Sequence, residues 1–126
     1  MKRILVYSIL FVLAFAYYFF SVEKPEEIDT RVLKTLRMQG GLAFDPRDGK
    51  VLSGILVERD GKGGVLARVS YVTGLLDGES EYFYENTRIK ARVSYVKGIP
   101  EGVWEYFDMD GVKTKSVRYK NGIQVR

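Results

Sequence analysis

From residue 51 onward, polar and apolar side chains alternate with the period of two that marks half-buried β-strands, and the alternation breaks on Gly, Asn and Asp. The breaks recur. Ala67-Arg-Val-Ser-Tyr-Val72 returns unchanged as Ala91-Arg-Val-Ser-Tyr-Val96, an offset of 24 positions. The same offset links Gly54, Gly78 and Gly102, then Tyr71, Tyr95 and Tyr119, and then Gly74, Gly98 and Gly122. Three tandem units result, at about residues 54–77, 78–101 and 102–126. A unit this short buries no core alone and must lean on its neighbours. These glycines and tyrosines are therefore read as structural repeat residues.

Each unit reads as a hairpin. With Asn86-Thr87 as a two-residue turn, Glu85 faces Arg88 and Tyr84 faces Ile89. One face then collects Ser80, Tyr82, Tyr84, Ile89, Ala91, Val93 and Tyr95, and the other is charged, with Glu81 opposite Arg92. A one-residue slip scrambles both sets, so the separation supports the register. Unit three turns at Asp110-Gly111, with Trp104, Tyr106, Val117 and Tyr119 on the apolar face and Asp108 facing Lys113. Unit one turns more loosely at Gly61-Lys-Gly-Gly64. The glycines between hairpins predict positive φ.

Ahead of the repeats the pattern changes. Ile4 to Val22 is an apolar run preceded by Lys2-Arg3 and followed by Glu23, Glu26, Glu27 and Asp29. At 1.5 Å per residue it reaches roughly 28 Å, close to the thickness of a bilayer core. The flanking charges hold the N-terminus in the cytoplasm and send the rest across. Residues 1–22 therefore read as an uncleaved signal-anchor with the repeats extracytoplasmic. The alternative is a signal peptide cleaved at Ala16, after Ala14-Phe15-Ala16, which leaves a secreted or periplasmic protein. Residues 23–47 predict a linker with a short amphipathic helix. Pro25 opens it, Ile28, Val32, Leu33 and Leu36 form its stripe, Lys34 and Arg37 lie in its last turn, and Gly40-Gly41 stop it. The fold class expected is mainly β: an antiparallel meander of three 24-residue hairpin repeats, preceded by a transmembrane helix and a short amphipathic helix.

Composition then removes function classes. The 126-residue chain has no His and no Cys, hence no imidazole base, no thiolate nucleophile and no thiolate or imidazole metal site. No cofactor, metal or catalytic residue is expected. The net charge of +4 is diffuse, with 12 basic against 10 acidic side chains after residue 50. Such a balance lacks the basic stripe that nucleic acid requires.

Glu81-Tyr-Phe-Tyr-Glu-Asn86, Tyr95-Val-Lys-Gly98, Trp104-Glu-Tyr-Phe-Asp-Met-Asp-Gly111 and Tyr119-Lys-Asn-Gly122 resemble the bacterial variant of MORN repeats. The resemblance covers about residues 48–126, including Asp48 to Gly54 as the lead-in to the first full unit. Unit three is nearest to the family pattern. Unit one has Glu58 and Arg59 in place of the aromatic pair, and unit two has Thr87 in place of the turn glycine. The family is often labelled as the antitoxin or immunity component of toxin–antitoxin systems. The resemblance thus implies a β-repeat that neutralises or binds another protein, here in the envelope. Candidate partner-binding residues are Tyr82, Trp104 and Tyr106, with Lys90, Arg92 and Arg118 on the opposite surface. The competing reading is a structural or membrane-surface-associating scaffold of the envelope.

Overall fold

A computed structural model of the chain describes residues 24–29 and 36–126. The signal-anchor of residues 1–22 lies outside them. So do positions 30–35 of the expected amphipathic helix. Among the described residues there is no helix, and thus none long and apolar enough to cross a membrane.

The strands are β1 (Glu27–Asp29), β2 (Arg37–Gln39), β3 (Leu42–Phe44), β4 (Gly54–Arg59), β5 (Val65–Val72), β6 (Leu75–Leu76), β7 (Gly78–Phe83), β8 (Ile89–Val96), β9 (Ile99–Pro100), β10 (Gly102–Phe107), β11 (Lys113–Lys120) and β12 (Ile123–Val125). Ten form one sheet, ordered β1-β4-β5-β7-β8-β10-β11-β12 with β6 and β9 added against β5 and β8; β2 and β3 form a separate hairpin. The β4–β5, β7–β8 and β10–β11 pairs are antiparallel and equivalent at the 24-residue offset. The expected meander of three hairpin units is the observed one.

Two kinds of turn build it, at opposite edges of the sheet. Between units, Thr73-Gly74, Lys97-Gly98 and Asn121-Gly122 are two-residue turns with positive φ at both positions, for example 48° at Lys97 and 81° at Gly98. This is the mirror-image turn whose twist suits a β-hairpin. Each returns the chain into a strand of two or three residues, β6, β9 or β12. Within units two and three the turn is longer than the two residues expected. Tyr84 accepts from the Thr87 amide (3.0 Å) and donates to the Arg88 carbonyl (2.9 Å), with Thr87 at φ 71°. Asp60/Gly63 and Asp108/Gly111 repeat the arrangement. It is a three-residue loop closed by a left-handed residue.

That loop corrects the register near the tips. Up to Tyr82↔Ala91 the pairing is the expected one, including Glu81↔Arg92. A bulge then shifts it, so that Phe83 pairs with Ile89. Ile89 therefore leaves the face of Ala91, and Glu85 and Arg88 are not a cross-strand pair. In unit three Phe107 pairs with Lys113, so Lys113 meets Glu105 (2.5 Å) rather than Asp108. An extra residue on the longer strand absorbs the odd-numbered loop.

The amphipathic helix is corrected where it is described. Glu27-Ile28-Asp29 is a strand, parallel to β4, and Arg37–Gln39 pairs with Leu42–Phe44 across a turn at Gly40-Gly41. A short isolated helix is marginal in water. An unpaired sheet edge offers the same backbone groups partners along one side, and Ile28 (2% exposed) joins Ala43 and Leu52 in a buried cluster. Asp45 closes the lead-in segment, taking the Arg47 guanidinium at 2.6–3.0 Å, which holds its carboxyl below the usual range.

Stitching bonds join the units. The Gly74, Gly98 and Gly122 amides donate to the carbonyls of Leu52, Leu76 and Pro100 (2.6–2.9 Å). The amides of Thr73, Lys97 and Asn121 donate to the side chains of Ser53, Asp77 and Glu101 (2.7–3.0 Å). At the far edge the Tyr84 hydroxyl donates to the Phe107 carbonyl (2.8 Å) and Asn86 to that of Met109 (3.2 Å).

These turns generate opposite predictions for two residues. Thr87→Gly removes a β-branched residue from a left-handed site that its sister units fill with glycine. It is expected to stabilise by about 1 kcal/mol, which in a domain of this size raises Tm by roughly 4–8 °C. Gly98→Val places such a residue at φ 81° with its Cβ against Leu75 (3.7 Å), and is expected to cost about 1–3 kcal/mol. Thermal melts check both; a Thr87→Gly Tm at or below the parent's contradicts the turn assignment.

Candidate functional site

Directly opposed residues share a face, so the register sorts the side chains. One row crosses the sheet through Ala67, Tyr82, Ala91 and Tyr106, and ends at Lys115. The next contains Ser80, Val93, Trp104 and Val117. A third pairs each repeat tyrosine with a repeat glycine: Gly54↔Tyr71, Gly78↔Tyr95 and Gly102↔Tyr119. The missing side chain leaves room beside each ring. Tyr71, Tyr82, Tyr95, Trp104, Tyr106 and Tyr119 thereby occupy a single face.

Those rings are linked. Trp104 meets Tyr95 edge-on (5.2 Å between centroids, 62°) and Tyr119 at a tilt (4.6 Å, 49°). Its indole N–H donates to the Ser94 carbonyl (2.9 Å). Burial pushes the phenol groups of Tyr71, Tyr82 and Tyr95 above their ordinary pKa, and neighbouring phenols add to the effect at Tyr71 and Tyr95. Yet none of the six is fully buried, and Tyr82 is 36% exposed. What lies buried beneath them is small: Ala67, Ser80, Ala91, Val93 and Val117. Among the described residues, further elements fold over at the unit-one end, where Leu36, Leu56 and Tyr71 pack on the Ile28, Ala43 and Leu52 cluster.

The other face is ionic. Arg68↔Glu81, Glu81↔Arg92 and Arg92↔Glu105 alternate in sign across four strands. Arg68 also pairs with Glu27, and Arg92 lies 3.4 Å from Glu79 and 3.8 Å from Glu81. The Arg92 Nε is buried near Glu79 without the alignment of a hydrogen bond. The Arg68 and Lys113 hydrogen bonds hold Glu27 and Glu105 below the ordinary carboxylate range. Exposed pairs of this kind add at most about 1 kcal/mol each.

The six sequence candidates therefore do not meet at one point. Tyr82, Trp104 and Tyr106 share the aromatic face. Arg92 is held in the ionic ladder, Arg118 pairs with Val103 on that same side, and Lys90 lies at the bulge with its ammonium 5.7 Å from the Tyr84 ring. Sequence reasoning passed over Ser53, Asp77 and Glu101, which hold the units in step. Their signal was available: each is the polar residue just before the repeat glycines 54, 78 and 102. Among the described residues no group of acidic side chains converges as a metal-ligand set. The clefts are shallow, and one of about 320 Å³ lies over the stacked turns, touching Met38, Tyr71 and Lys97.

Fold and site together define a tandem β-hairpin array with one aromatic and one charged face. No family model, no curated protein and no solved structure matches the chain.

Trp104→Ala strips the central ring of the aromatic row. The site is half-buried, so the expected cost is about 2–3 kcal/mol, below the 3–5 typical of a fully buried aromatic. Glu81→Ala, on the ionic face, is expected to stay within about 1 kcal/mol. Equal melting shifts for the two variants contradict this division of the faces.

Proposed function

We propose that the chain is a membrane-anchored, extracytoplasmic β-repeat module that binds another protein through its aromatic face, and that it is not an enzyme. The observation that carries this reading is the set of six aromatic side chains left partly exposed along one face of the sheet. Aromatic rings supply large contact area at low entropic cost and dominate the energetics of protein interfaces. Tyr82, Trp104 and Tyr106 form the centre of the docking surface. Arg92 contributes less, since its charge is already engaged by Glu79 and Glu81.

The anchor rests on residues 1–22, whose basic start and acidic flank favour export of the repeats. The resemblance to bacterial MORN-variant repeats adds the kind of partner: an antitoxin- or immunity-type interaction, placed in the envelope by the N-terminal segment. The absence of His and Cys from the sequence weighs against catalysis.

A photo-crosslinking residue at position 82 of the full chain, in its native membranes, tests the reading. We expect one discrete protein adduct from position 82 and none from position 81, the neighbouring residue on the ionic face. Adducts to lipid alone from position 82 support the envelope-scaffold alternative instead. Protein capture from position 81 alone places the docking surface on the wrong side.

A further inference from the structure

The two edges of the described sheet differ. At the unit-one end, β4 is covered by β1, an acidic extended segment lying along the sheet edge. Its carboxylates engage basic residues of the first unit: Glu27 meets Arg68, and Asp29 meets Arg59 at 3.0 Å. At the other edge, β11 pairs from Lys113 to Tyr119 with β10 but only through Arg118, Tyr119 and Lys120 with β12. The stretch Lys113–Val117 thus has no partner on its outer side among the described residues, and positions 113–116 are exposed. In the two preceding units the equivalent stretches of β5 and β8 receive β7 and β10, with Glu81 opposite Arg68 and Glu105 opposite Arg92.

From this we infer that the outer edge of β11 captures an extended acidic segment of a partner protein as an added strand. An unpaired edge presents a row of backbone donors and acceptors that an incoming strand completes. The charge of the edge selects the strand through Lys115, Arg118 and Lys120, since the Lys113 ammonium is already taken by Glu105. Lys113, Lys115, Arg118 and Lys120 make β11 the most basic strand of the sheet, with no acidic residue. Lys115 stands where the earlier units carry Ala67 and Ala91. The same charges repel the β11 of a second copy, which disfavours edge-to-edge self-pairing. Lys113 lies back on Glu105, and Lys115 sits 5.7 Å from the Tyr106 ring. Their ammonium groups therefore rest against their own unit while the backbone between them stays open. The sheet already receives one such segment, Glu27-Ile28-Asp29, by backbone pairing reinforced with carboxylate–arginine contacts.

The inference rests on the reading of the chain as a protein-binding module, but it uses a different surface from the aromatic face. Its test is a dye-labelled synthetic peptide alternating Glu and Val, titrated against the full chain by fluorescence anisotropy, with amide hydrogen exchange read in parallel. We expect saturable binding, slowed exchange confined to the Lys113–Val117 stretch, and no binding of the matching Lys–Val peptide. The double variant Lys115→Glu/Lys120→Glu is expected to bind the Glu–Val peptide about tenfold more weakly. No saturable binding, equal binding of both peptides, or protection at β1 and β4 instead of β11 overturns the proposal. The peptide comparison on the unaltered chain stands even if the double variant fails to fold. Failure here leaves the crosslink from position 82 as an independent reading of the aromatic face.

Discussion

The column of two-residue turns at Thr73-Gly74, Lys97-Gly98 and Asn121-Gly122 is the constraint on which the rest of the array depends. Each turn holds two successive residues at positive φ and offers its two amides to the preceding unit, one to a carbonyl and one to a side chain. Because donor and acceptor recur at the same offset, the bonds fix the distance along the chain from one unit to the next. The strand register is set by that distance, and with it the sorting of side chains. Repeat proteins of this kind gain stability from each unit and from each nearest-neighbour interface. Here the interface is both a ladder of backbone bonds and a set of touching rings.

Much of this was legible in the sequence because repetition amplifies weak signals. Alternation in a single strand is ambiguous, but the same alternation at Ala67–Val72 and Ala91–Val96, framed by the same glycines, fixes the hairpins and their faces. What escaped was local. The three-residue loops depend on Thr87, Gly63 and Gly111 taking left-handed backbone, whereas Asn86-Thr87 suggests a shorter turn with Asn in that role. The resulting bulge moves Ile89 and Lys113 to the other side of the sheet. The segment at Glu26–Asp29 reads as the start of a helix from its Pro, its acidic residues and its apolar spacing. The Pro and the acidic residues also suit an acidic edge strand, and the vacancy beside β4, a tertiary fact, decides between them. The aromatic row was visible, but its half-burial was not, because burial depends on whether a second layer covers the face.

The two faces differ in kind. On the ionic side, carboxylates and guanidinium groups offset one another's charge in rows across the strands, leaving little net charge for a ligand to claim. On the aromatic side, rings cover Ala and Val and still present area to the exterior. That asymmetry is why the proposed docking surface is the aromatic face, and why the arginines on the other side rank lower as contacts. A thin sheet must also keep those rings for its own stability. The proposed partner contact and folding would therefore draw on the same residues, and exposed Tyr82 separates the two roles better than Trp104.

Excision of one whole unit tests the central claim most directly. Deleting residues 78–101 preserves the offset between every turn amide and its acceptor position, whereas deleting residues 78–100 displaces every later residue by a single position. The account predicts that the first shortened chain still melts cooperatively as a β-protein, at a lower Tm than the parent, and that the second does not fold. Equal folding of the two deletions, or folding of the second alone, would contradict it.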